Sequence, residues 1–375
     1  FYKLIRARDL KPHGFDFAFI LYNLWTVGIF VYHGEGGQVA ASNQGSSGGL
    51  QYGGALALES LAAYVIARAY IRDGDTFRAV VRLLFMGVAV AGLIALPETL
   101  LGQHFAHDAM NALTGYGFPL KYEARLGLER AYSTFEHPIH YGTFCASVAA
   151  MVWFTERRIA KRNLRIGIIA GATLLGLSSA PLLCLGFQIA MIAWERGTRG
   201  VANRLTITMT IFAGLYVGAS LVGSRTPIGI IATGMTLDSW TGYYRLVIWE
   251  HGIQNFYANF MTGIGLADWE RPWWMHSDSI DAFWLVIPLR AGLPAIATLV
   301  LGFVLMLRGA WKVGKRHPDR SMRPLMLGWT MSLIALCLIG ITVHFWNVLY
   351  GLAGYERHGS ATKVRTLWIP IPLSN

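Results

Sequence analysis

Seven basic residues stand apart in this sequence: Lys121, Arg125, Arg130, Arg225, Arg245, Arg271 and Arg290. Six of them are arginine, whose planar fork matches phosphate oxygens and keeps its charge when partly buried. Arg130 opens "RAYSTFEHPIHYG" (130–142), which gathers Glu136, His137 and His140 ahead of an apolar run. Pro138 suits a first helical turn, where its missing N–H costs nothing; Arg130 to His137 then form the approach to that helix. Arg245 lies in "TGYYRLVIWEHGIQNF" (241–256), where Tyr244, Val247, Ile248 and Ile253 fit a helical stripe. His276 follows a Trp-rich stretch, with Asp278 and Asp281 near enough to orient it. A histidine exchanges a proton near neutral pH, so these types together suit binding a phosphorylated group and activating a hydroxyl. The plainer reading pairs each arginine with an acidic neighbour, leaves His276 solvated and makes Trp269, Trp273, Trp274 and Trp284 interfacial anchors.

The elements that would position these residues are membrane spans. Of 375 residues 54% are hydrophobic and 14% charged, with mean hydropathy +0.42, against about 25% charged in soluble domains. Apolar runs near the roughly 20 residues needed to cross a bilayer fall at 15–32, 50–71, 79–98, 138–155, 204–222 and 292–308. Two longer stretches, 166–194 and 324–354, read as tight helical hairpins turning near "GLSSAP" (176–181) and near 339–343. The expected fold is all-α, a polytopic membrane protein of about ten helices. N-terminal membrane helices occupy 1–98 and a membrane core 99–375. The chain starts "FYKLIRARDL" without an initiator Met; a further helix pair before residue 1 would make twelve without changing sidedness.

Sidedness follows from the charge. The connections 3–13, 68–82, 156–165, 194–204, 308–323 and the C-terminal tail hold 25 of the 32 Lys and Arg. By the positive-inside rule these are cytoplasmic, so the net charge of +11 is an orientation signal and nucleic-acid binding is set aside. The seven remaining basic residues fall on the other side, which carries the two longest loops, 99–137 and 223–291; loops of that length are usually functional. The Gly/Ser-rich loop 33–49 is assigned nothing. All three cysteines lie in apolar runs, with neither a disulfide framework nor a metal knuckle in view.

Three segments, in order, carry a resemblance. An Arg precedes Phe–x–His–Pro in "RAYSTFEHPIHYG"; an Arg precedes Trp by four residues in "RLVIW", followed by the turn "TGIGLADW"; a His precedes a helix ending Gly–Leu–Pro in "HSDSIDAFWLVIPLRAGLPA". With the sidedness and hairpins, the chain resembles over residues 99–355 the bacterial O-antigen ligase and O-antigen (exopolysaccharide) polymerase superfamily. That resemblance implies a multi-pass inner-membrane glycosyltransferase with a periplasmic active site, using undecaprenyl-diphosphate-linked oligosaccharide as donor and another glycan as acceptor. Arg130 and Arg245 would hold the diphosphate and His276 would serve as base. Arg125, Arg225, Arg271, His137, His140, Tyr244, Trp249, Trp274 and Asp278 would line the substrate site. Neither metal nor other cofactor is expected; membrane lipid and polysaccharide-assembly proteins such as a chain-length regulator are expected partners. The sequence departs from the family in having no Ser–Arg in "LSSAPLL" and in its count of ten spans. The Glu in "FEHPI" and the modest loops favour a polymerase over a ligase acting on lipid A core. A flippase of the same lipid-linked sugars is the more distant alternative: transporters place polar residues at the bilayer midplane, whereas the spans here are nearly free of charge, Glu59 and Arg82 being the main exceptions.

Overall fold

The computed structural model describes residues 13–34, 48–71, 73–115, 117, 120–222, 239–275 and 279–344. Helices dominate: α1 Gly14–Gly34, α2 Gly48–Tyr70, α3 Gly74–Leu101 and α4 Phe105–Thr114 lead to a two-residue hairpin, β1 Ala124–Arg125 with β2 Leu128–Glu129. Then come α5 Pro138–Ser147, α6 Ala149–Thr155, α7 Ile159–Leu175, α8 Ser179–Gly197, α9 Arg204–Val222, α10 Ser239–Ala258, α11 Phe283–Arg316 and α12 Met322–Ile339. Five of them, α1, α2, α3, α11 and α12, are long and apolar enough to cross a membrane, so the chain is a multi-pass membrane protein. Among the described residues the other apolar runs lie in helices that do not meet that measure, so five of the ten expected spans are in view.

Hydrophobic burial gathers the helices around several cores. Val88, Ala95, Tyr141, Val152, Ile169, Cys184 and Leu325 share one core built from α3, α5, α6, α7, α8 and α12. Beside it Ile29 of α1 packs on Ala291, Ala295 and Leu299 of α11. α2 adds to α1 through glycine: a Cβ on Gly49 would lie 2.1 Å from the Phe30 carbonyl oxygen, an approach that only a missing side chain permits. Much apolar surface faces outward, Leu58, Leu93, Leu83 and Met209 among it, as a hydrocarbon solvent allows.

Two of the sequence landmarks can be placed, and one break was unforeseen. The first hairpin turns at residues 176–178, between α7 and α8. α12 ends at Ile339 and turns over 340–342; the second arm of that hairpin lies outside the described residues. The run at 138–155 is two helices, broken at Val148. Gln188 repairs the break: its Oε1 accepts from the Ala150 amide at 2.9 Å and its Nε2 donates to the Ala146 carbonyl at 2.8 Å. Ser332 of α12 donates to the same Oε1 at 3.1 Å. Backbone groups freed inside a membrane must find such partners, and neither Pro nor Gly marks this place in the sequence.

Candidate functional site

The loop carrying Arg130 is held from three directions. Glu98, fully buried at the end of α3, accepts from the Tyr132 amide at 3.1 Å and the Ser133 amide at 2.7 Å. Ser133 sits at φ +54, a left-handed conformation that disfavours a non-glycine residue and that its bonds to Glu98 and to the Ala91 carbonyl over-determine. The Ala131 amide donates to the Leu175 carbonyl at 3.1 Å, and Arg125 Nη1 to the Leu177 carbonyl at 3.3 Å, so both residues grip the turn between α7 and α8. Leu126 and Gly127, both at positive φ, make the hairpin tip. His137 then caps α5: its Nδ1 accepts from the Ile139 amide at 3.1 Å, with Pro138 in the first turn.

Arg245 comes from the other end of the chain. Val247 and Ile248 face a core completed by Ile264, Trp269, Met275, Ile280 and Leu285. Ile253, expected on that stripe, is exposed instead; Gly252 takes the inward place, where a Cβ would meet Leu285 at 2.6 Å. The exit of α10 is clasped to a kink in α11. Gly292 bends α11 at φ +74, ψ −176, and a Cβ there would lie 2.0 Å from the Met261 carbonyl oxygen. The Ile264 amide donates to the Leu289 carbonyl, the Gly265 amide to Arg290, and the Leu293 amide to Phe260. "GIG" and "GLP", two of the three sequence landmarks, are thus the two halves of one joint.

Each of these supports ends at a buried arginine, and the two lie near enough to repel each other. Arg130 is 3% exposed and Arg245 8%. Arg130 pairs with Glu123 through Nη1, while its Nε and Nη2, and Arg245 Nε, have no hydrogen-bond partner among the described residues. Burial pushes the Arg130 guanidinium below its ordinary range, and Arg125 adds repulsion that Glu123 opposes. Arg245 is pushed the same way by burial; Asp281 offsets this in part, and Arg125 and Arg130 repel it. Both remain cations, since arginine does not lose its proton in proteins. Around them, burial and then Arg130, His140, Lys121 and Arg125 drive the His137 imidazole down to about 3, so it is neutral at physiological pH. Glu123 pairs with Arg130 and Asp281 acts on Arg245, the acidic groups set against these cations. Buried N–H donors left unmatched are costly, and an anion entering here would relieve that cost.

Other expected site residues take different parts. Arg271 is committed to its own loop, bonded to Asp268 and to the Met275 and Trp269 carbonyls. Arg290 donates to the Gly265 and Ala267 carbonyls and so ties down the α10–α11 joint. Trp249 donates to the Ile341 carbonyl at 2.8 Å, and His140 Nε2 lies 3.3 Å from the His344 carbonyl, linking both segments to the turn after α12. Tyr244 lies half-buried against the α10 core and Trp274 is exposed. Trp269, by contrast, is a core residue at 2% exposure. His276, Asp278 and Arg225 lie outside the described residues. Glu98 and Glu123 were not singled out in the sequence; a carboxylate closing the apolar run 79–98 is the one signal that pointed at Glu98. No family model matches the chain, and no curated protein matches it significantly.

Proposed function

We propose that the protein is an inner-membrane glycosyltransferase that polymerises undecaprenyl-diphosphate-linked oligosaccharide repeat units into surface polysaccharide at the periplasmic face. The observation that carries this reading is the pair of buried arginines, Arg130 and Arg245, which keep the Arg130 Nε and Nη2 and the Arg245 Nε donors unmatched among the described residues. Their loops fall on the side of the chain poor in Lys and Arg, the periplasmic side if ten spans alternate. An acceptor hydroxyl attacks the anomeric carbon, its proton passing to His276. The anomeric C–O bond breaks and its electron pair leaves with the diphosphate, where Arg130 and Arg245 neutralise the growing charge. Such preorganised donors stabilise charge without reorganising at the moment of reaction. Direct displacement inverts the anomeric centre.

The test is incubation of the purified protein with lipid-linked oligosaccharide, followed by gel analysis of chain length. A polymerase yields a ladder of repeat units. Correctly inserted Arg245→Ala and His276→Ala proteins are each expected to lose about 30–1000-fold in rate, the range for removing a transition-state donor. Single transfer to lipid A core would mark a ligase instead. Passage of intact donor across liposomes with no new glycosidic bond would mark a flippase.

A further inference from the structure

At the basic end of the bundle, α8 ends, α9 begins and α12 begins around a cavity of about 380 Å³ lined by Phe154, Glu195, Arg199, Arg204, Arg323 and Leu327. Its charge is unbalanced: three guanidinium groups face one carboxylate. Glu195 is taken up by Arg199, whose Nε and Nη2 donate at 3.1 and 2.9 Å. Arg204 stacks 5.1 Å from the Trp194 ring and donates to the Glu195 carbonyl at 3.3 Å. The Arg323 side chain makes no hydrogen bond to protein among the described residues. Nearby, Arg162 and Arg196 both lie over the Trp153 ring, at 4.2 and 4.9 Å, and strengthen the positive field.

The cavity lining is apolar as well as charged. Phe154 and Leu327 form part of its wall. Arg204 is the first residue of α9, a helix that leaves Ile207, Met209 and Ile211 exposed. A ligand held by Arg204 and Arg323 would therefore meet apolar surface leading toward the bilayer. Basic pockets between spans on the positively charged side suit phospholipid headgroups, and arginine's fork suits a phosphodiester. We propose that this cavity binds the phosphate headgroup of an anionic membrane phospholipid, its acyl chains lying along α9. This assignment is independent of the glycosyl-transfer reading.

The experiment uses the full chain, purified and delipidated in detergent. Phosphatidylglycerol, phosphatidylcholine and inorganic phosphate are titrated while bound lipid is followed by native mass spectrometry. Phosphatidylglycerol is expected to bind at a single site, phosphatidylcholine much more weakly. Arg323→Gln and Arg204→Gln should each weaken phosphatidylglycerol about fivefold, the contribution of one basic residue near an anionic surface. Arg323→Lys should retain most of the binding. Melting without lipid checks that each variant is folded, and the lysine variant provides the comparison if a glutamine variant is not. Equal binding of the two lipids, or phosphatidylglycerol binding unchanged in the variants, would overturn the proposal. Displacement of the lipid by inorganic phosphate at comparable affinity would overturn the lipid assignment in favour of a free anion.

Discussion

At the scale of single residues, an arginine's meaning depends on whether its donors are already used. Arg130, Arg245, Arg271 and Arg290 look alike in the sequence. The fold separates them: Arg271 and Arg290 are consumed by backbone carbonyls, while Arg130 and Arg245 keep N–H groups in reserve. No spacing rule distinguishes these cases, because the deciding carbonyls belong to loops whose path is set by tertiary contacts. His137 carries a prediction at this scale. Its Nδ1 must be unprotonated to cap α5, and burial holds its pKa near 3 against about 6.5 in an unfolded chain. Above pH 6.5 the imidazole is neutral in both states and contributes no pH dependence. As pH falls from 6.5 toward 3 the unfolded chain binds a proton that the folded chain refuses, so stability declines. His137→Asn, which can still cap, should flatten that decline. Thermal melting of both proteins in detergent from pH 7 to 4 checks it; parallel curves would refute it.

At the scale of elements, the positions of spans were legible because hydropathy is a local property. α1, α2 and α3 each begin or end within a few residues of the apolar runs, and the α7–α8 turn falls in "GLSSAP". The break at Val148 was not legible, because the group that makes it tolerable, Gln188, lies 38 residues beyond the Ala150 amide it accepts from. The α10–α11 joint was visible as two glycine-bearing stretches, but not as one object. It predicts that Gly292→Ala will be among the most damaging small substitutions. The left-handed backbone alone costs about 1–3 kcal/mol for a residue with a Cβ, and the added carbon would lie 2.0 Å from the Met261 carbonyl oxygen. Gly309→Ala, where a Cβ meets nothing within 4 Å, is the matched control within the same helix. Unfolding midpoints of the two variants should differ clearly, the first falling and the second staying near wild type.

At the scale of the whole molecule, the asymmetry of 25 basic residues against seven organises the reading. It sets the proposed lipid cavity at the end crowded with arginine and the buried Arg130–Arg245 pair among the loops that are poor in it. A reporter active only outside the cytoplasm tests the arrangement. Fused after Gly117 it should be active, and fused after Gly200 inactive; the reverse pattern or equal activity would remove the basis for a periplasmic site.

The joint between "GIG" and "GLP" has a consequence for kinship. Its bonds run between amides and carbonyls, so what it requires of the sequence is chiefly that Gly263, Gly265 and Gly292, all at positive φ, carry no side chain. Many of the residues between them are free to drift so long as those three bare positions, the Arg290 clamp and the apolar core beside them survive. Two proteins sharing this joint need have little else in common along the chain, and a search for distant cousins gains most from the spacing of glycines that backbone geometry dictates. A few positions without side chains would outlast the surrounding text.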